Sequence, residues 1–120
     1  MKNEKNTITD LIDLNHLHLY VGEDEGLRDE ILSIFAEQLA LWMDRFSPNM
    51  DGEAWYQATH TLKGASRGVG VWAIGDLCEE AEGLTGPEHE AARTQMLERL
   101  RPLADQVMAA LKDLLKDAAA

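Results

Sequence analysis

Three features of the chain predict an all-α fold. Apolar residues recur every three or four positions through its middle and end, turn residues gather at Ser47-Pro48-Asn49, Gly68 to Gly70 and Thr85-Gly86-Pro87, and no segment after Val21 alternates polar with apolar as a half-buried strand would. Residues 11–21 are the exception, because Leu17, Leu19 and Val21 alternate with His16, His18 and Tyr20. A strand there would have no partner. A short helix capped by Asn15 and lying over the remaining helices is expected instead.

A long helix is predicted over residues 24–46, with Leu27, Ile31, Ile34, Phe35, Leu41 and Trp42 on a broad apolar face. Pro48 ends it, since the proline ring disfavours helix at the residue before it. Asp51 then caps a helix that runs to about Gly68 and Gly70, where glycine tolerates positive φ. The next helix, residues 71–83, turns Ile74, Leu77, Cys78 and Ala81 inward. Pro87 near a first helical position, with Glu88 and Glu90 suited to the helix dipole, opens the last one. Met96, Leu100, Leu103, Val107, Leu111 and Leu114 give that helix its core spacing over residues 88–116, and Pro102 should kink it near residues 98–101. Short turns between consecutive helices favour antiparallel neighbours. The expected architecture is an up-down-up-down four-helix bundle with a short additional N-terminal helix.

The helix of residues 51–70 carries the functional signal. At about 100° per residue, Trp55, Ala58, Leu62, Ala65 and Val69 fall within roughly 40° of one line, the core face. His60 lies about 180° from that line. It shares the outer surface with Glu53, Tyr56, Gln57, Lys63, Gly64 and Arg67. A glycine inside a helix costs roughly 1 kcal/mol against alanine, so Gly64, one turn after His60 on the same face, needs a compensating use. Removing a side chain beside an exposed imidazole lets a macromolecule approach it. Lys63 at i+3 reaches a group attached to the ring. These features suit phosphoryl transfer through histidine: a neutral imidazole nitrogen is a nucleophile near neutral pH, and Lys63 and Arg67 offset the roughly −1.5 to −2 charge of the group it takes up.

The run His60-Thr61-Leu62-Lys63-Gly64-Ala65-Ser66, followed by Val69-Gly70, resembles the signature of histidine-containing phosphotransfer (HPt) domains. Upstream, Asp13-Leu14 and the helix around Ile34-Phe35 are similar to that family's opening; downstream, Leu77-Cys78-Glu79-Glu80-Ala81-Glu82 resembles the helix after its phosphorylated histidine. The resemblance covers residues 12–115. It implies a four-helix bundle in which His60 is the acceptor, Lys63 the phosphate-side cation and Gly64 the access position. The bundle topology leans on it, since helical wheels fix phase alone. By the same resemblance His60 accepts a phosphoryl group from an aspartyl phosphate on one response-regulator receiver domain and passes it to another. A hybrid histidine kinase is a further partner. No cofactor is expected on this chain, Mg²⁺ being supplied by the receiver. Position makes Arg67 a phosphate-side or specificity residue, and Tyr56 and Gln57, one turn before His60, partner-binding residues.

Size and charge narrow the alternatives. The 120 residues are read as one domain, too small to hold an ATP-binding kinase domain as well. Hydrophobic residues at 45% support a packed core. A formal charge of −11 excludes the basic footprint that nucleic acid and anionic membranes require, which leaves Lys63 and Arg67 as a local exception. A lone cysteine, with no apolar leader or spanning segment, suggests a reducing cytoplasm. His16, His18 and His89 lack the spacing of metal ligands. Two rivals remain: a helical module that binds receivers or kinases without being phosphorylated, and an enzyme, either the dimerising half of a histidine kinase or a receiver phosphatase. Kinase dimerisation helices usually place an acidic residue directly after the histidine, where this chain has Thr61. A monomer is expected of a carrier.

Overall fold

The computed structural model describes residues 11–119, with side chains through Leu115. Within them it holds five α-helices and no strand: α1 (Leu14–Val21), α2 (Glu25–Arg45), α3 (Gly52–Gly68), α4 (Trp72–Ala81) and α5 (Glu90–Ala119), the last preceded by a 3-10 turn at Pro87–His89. Helix α2 packs on α3 and α5, α4 packs on the same two helices, and α1 lies against α2. The first eight residues and Ala120, expected to fray, lie outside the described residues, whereas Ala118 and Ala119 continue α5.

Helix α1 begins two residues before the expected cap allows. Asp13, not Asn15, is its cap, accepting the His16 N–H at 3.1 Å. Its alternating pattern resolves into an i, i+4 pair, with Leu17 and Val21 buried and Leu19 in solvent. Asp24 caps α2 by accepting the Leu27 N–H at 2.9 Å. The buried face of α2 is Leu32, Phe35 and Leu39, with Ile31 and Trp42 packed at its margin, while Leu27, Ile34 and Leu41 stand half-exposed. Apolar residues surround this helix so evenly that a wheel defines no single face; packing against α3 and α5 selects it. Arg101, on α5, donates to the Met43 and Phe46 carbonyls at 2.9 and 3.0 Å, meeting acceptors that the end of α2 leaves open.

Asp51 starts α3 as expected, accepting the Glu53 N–H at 3.1 Å. Trp55, Ala58, Leu62 and Val69 are buried, and two small polar residues join them: Thr59, whose hydroxyl donates to the Trp55 and Tyr56 carbonyls, and Ser66. Helix α4 is shorter than its pattern by a residue or two at each end. Cys78 sits in the core, where burial pushes its thiol up to about 12 and keeps it protonated. Helix α5 runs unbroken through Pro102 as one element, burying Met96, Leu97, Leu100, Ala104, Val107 and Leu111.

The α3–α4 turn is tied to the start of α1. Gly70 has φ of 85°, its carbonyl accepts the Asp13 N–H at 2.8 Å, and a Cβ there would lie 2.6 Å from the Asp13 carbonyl oxygen. Trp72 Nε1 donates to the other oxygen of the Asp13 carboxylate at 3.0 Å, the main cause holding that carboxyl below the usual carboxylate range. Two glycine variants therefore separate strain from clash. Gly22, at φ of 59° with open space around it, should lose about 1 kcal/mol on replacement by alanine, from left-handed strain alone. Gly70→Ala adds the collision with Asp13 and should lose about twice as much or more. Urea unfolding of both variants measures the difference; equal losses would contradict the docking of α1 on this turn.

Candidate functional site

His60 stands on the outer surface of α3 with 53% of its side chain exposed. Its neighbours come from two helices. One turn earlier, Tyr56 lays its ring nearly parallel to the imidazole, 15° between planes and 5.3 Å between centroids. From the end of α4, Glu82 reaches across: Oε1 lies 3.2 Å from His60 Nδ1, and Oε2 accepts a hydrogen bond from Lys63 Nζ at 2.9 Å. One carboxylate thus binds both residues that the sequence singles out. The Lys63 bond, and secondarily the His60 bond, hold the Glu82 carboxyl below the usual glutamate range. An ionised carboxylate only accepts hydrogen bonds, so the Nδ1 facing it carries a proton. The lone pair of a neutral ring is then on Nε2, the nitrogen farther from the backbone.

Lys63 is only 17% exposed; its stem lies along the protein while its ammonium meets Glu82. An ammonium has three donors, and Glu82 takes one. Gly64 fits the access reading: a Cβ built there meets nothing within 4 Å, so no contact within the protein requires glycine. Arg67 is engaged differently from Lys63. Its guanidinium donates to Asp76 at 3.1 Å and pairs with Glu79 at 2.7 Å, both on α4, and these partners, Glu79 first, raise its already high pKa. Gly75 makes room for it, since a Cβ there would lie 2.7 Å from Arg67 Cγ. Gln57 is exposed, and with Tyr56 it lines an open cleft that Asp51, Gly52, Glu53, Thr85 and Pro87 complete.

Sequence reading brought His60, Lys63, Gly64, Tyr56 and Gln57 to one face and missed Glu82 as their partner. A signal existed. The pairs Lys63–Glu82 and Arg67–Asp76 are both centred near position 72, just past the Gly70–Val71 turn, so folding α4 back along α3 pairs them. Among the described residues no three His, Cys, Asp or Glu side chains converge as a metal site requires, and no helix is long and apolar enough to cross a membrane.

The pH dependence of stability reports on the Glu82 bridge. Because the folded-state pKa of Glu82 lies below the 4.5 of an unperturbed glutamate, the bridge adds stability above that pH and loses it as pH falls through the folded value. Partial exposure keeps the contribution within about 1 kcal/mol. Glu82→Gln should melt below the native chain at pH 7 and converge with it near pH 3. A gap in melting temperature that is unchanged by acid would contradict the ionised bridge.

Comparison with known proteins adds an independent finding. Residues 27–120, which take in nearly all of α2 and everything after it, match the family described as Hpt domain. No curated protein and no solved structure matches the chain. A family match over more than three quarters of the sequence, on an all-helical chain, places this protein in the Hpt domain family, whose general role is phosphotransfer in two-component signalling.

Proposed function

We propose that this chain is a phosphorelay carrier and that Nε2 of His60 is its phosphoacceptor. The observation that carries the reading is an exposed imidazole whose Nδ1 is occupied by Glu82, which leaves Nε2 as the available nitrogen, one turn before the open space at Gly64. The Nε2 lone pair attacks the phosphorus of an aspartyl phosphate on a receiver domain. The P–O bond breaks, the aspartate leaves as a carboxylate, and a P–N bond forms. The ring is then positively charged with its proton on Nδ1, where Glu82 stabilises it. In the return step a second receiver aspartate attacks the phosphorus, and the P–N electron pair returns to Nε2. Retaining the Nδ1 proton matters here, because the departing group is then a neutral imidazole rather than an imidazolate.

Lys63 turns its unused donors to the phosphoryl oxygens while remaining paired with Glu82. Arg67, already matched by Asp76 and Glu79, acts first as the clamp of α4 on α3 and contributes to phosphate only through residual field. Tyr56 holds the ring plane by stacking, and with Gln57 forms part of the face a receiver covers. Mg²⁺ comes from the receiver; the carrier contributes an oriented nucleophile on a rigid helix. The scaffold in this reading is an antiparallel up-down-up-down bundle of α2 to α5 with α1 as an added helix, supported by the pairing of Lys63 with Glu82 and of Arg67 with Glu79 and Asp76. It works as a cytoplasmic monomer between receiver domains, a hybrid histidine kinase among their sources.

Mixing the chain with a phosphorylated receiver should transfer label to it in an acid-labile, base-stable form. His60→Gln should abolish labelling; full labelling of that variant would overturn the assignment. Gly64→Ala separates access from folding: it should stabilise the isolated domain by about 0.5–1 kcal/mol and slow transfer from the receiver at least several-fold. A stabilised variant with an unchanged rate would remove Gly64 from the contact face.

A further inference from the structure

We infer that Arg93, in the first turn of α5 and remote from the reacting atoms, is a positioning residue for transfer at His60, acting through Glu82; the inference rests on the phosphoacceptor reading above. Arg93 is 2% exposed, and no carboxylate among the described residues lies within ion-pairing distance of it. Its donors go instead to main-chain carbonyls of two connections. Nε donates to Leu84 at 2.7 Å and Nη2 to Thr85 at 2.9 Å; Nη1 donates to Met50 at 2.7 Å and Pro48 at 3.1 Å. The guanidinium carbon lies 4.9 Å above the ring of Trp55.

These bonds bracket Glu82. On one side of it the Ala81 carbonyl accepts from Trp55 Nε1 at 2.8 Å, and on the other the Leu84 and Thr85 carbonyls accept from Arg93. Glu82 is the C-cap residue of α4 and keeps helical dihedrals, with φ of −66° and ψ of −21°. Its place relative to α3 is set by the end of α4 together with this staple, which holds the backbone on both sides of it. Trp55 belongs to the same helix as His60 and Lys63, about 7.5 Å and 12 Å along its axis. The staple thus references the carboxylate directly to the helix that carries the nucleophile. The close approach of Thr85 to Gly52 strengthens the link, because the Thr85 carbonyl oxygen occupies the space that a Cβ on Gly52 would take.

A guanidinium whose only role is to hold two loops together would affect stability and nothing else. If it positions Glu82, its loss also releases the Nδ1 proton from its acceptor and loosens the ring, and misplacements of about 1 Å at a reacting group slow reactions by up to about a hundredfold. The test uses the full chain with Arg93→Lys, Arg93→Met, Glu82→Gln and the Arg93→Lys/Glu82→Gln double variant, all assayed well below their melting temperatures. Imidazole ¹⁵N spectra report how much of the His60 ring carries its proton on Nδ1, and transfer rates from a phosphorylated receiver report function. Arg93→Lys should lower the Nδ1–H fraction and slow transfer about tenfold, and in the Glu82→Gln background it should add no further slowing. Unchanged spectra and rates in a merely less stable Arg93→Lys, or slowdowns that multiply in the double variant, would overturn the inference. Should Arg93→Met and Arg93→Lys both unfold, Trp55→Phe removes the Ala81 bond while keeping the guanidinium and must show the same shift in the His60 spectrum. Absence of labelling in the native chain would count against the phosphoacceptor reading, whereas the ¹⁵N spectra judge Arg93 independently of it.

Discussion

A guanidinium taken out of water carries a penalty of several kcal/mol unless its donors are met, and Arg93 meets that demand with four carbonyls and the face of Trp55. The arrangement is unusual in having no counter-ion among the described residues. It spends the charge on main chain instead, and so fixes backbone rather than a side-chain pair. The two segments fixed are the connection that leads into α3 and the one that leaves α4. Both border the His60 face, and the second carries Glu82 to it. Packing, loop geometry and site chemistry therefore share one buried group.

In the proposed reading the charges around His60 suit a carrier rather than a store. Lys63 and Arg67 are the cations of this face, and Glu82, Glu79 and Asp76 already balance them. A phosphoryl group on Nε2 adds about −1.5 to −2 charge to a patch whose two cations face three carboxylates. Little of that charge is neutralised locally. In the proposed transfer the remainder falls to the receiver and its Mg²⁺, so the phosphoramidate is best stabilised while the partner is docked.

Much of this was legible in the sequence, and what was not has physical causes. The cap Asp51 and the exposed phase of His60 follow from local rules that act within one or two turns. Asp13 took the cap expected of Asn15 because its carboxylate also meets Trp72, a contact 59 residues away in sequence. The face of α2 was misread because apolar residues encircle it and tertiary packing chooses among them. A wheel places Arg67 beside His60 as a phosphate-side or specificity residue and says nothing of the acidic helix opposite, which engages it through Asp76 and Glu79. Arg93 left a readable trace: it falls on the same stripe as Leu97, Leu100, Ala104, Val107 and Leu111, all buried. A cation in phase with a core stripe is a signal of buried carbonyls awaiting donors.

If Glu82 holds the Nδ1 proton, Nε2 is the nitrogen left to react. Phosphorylating histidine-¹⁵N-labelled protein from a receiver and correlating ³¹P with ¹⁵N identifies the bonded nitrogen directly. A single phosphoramidate on Nε2 of His60 is expected. Phosphorus bonded to Nδ1 of His60, or to any other histidine, would contradict it.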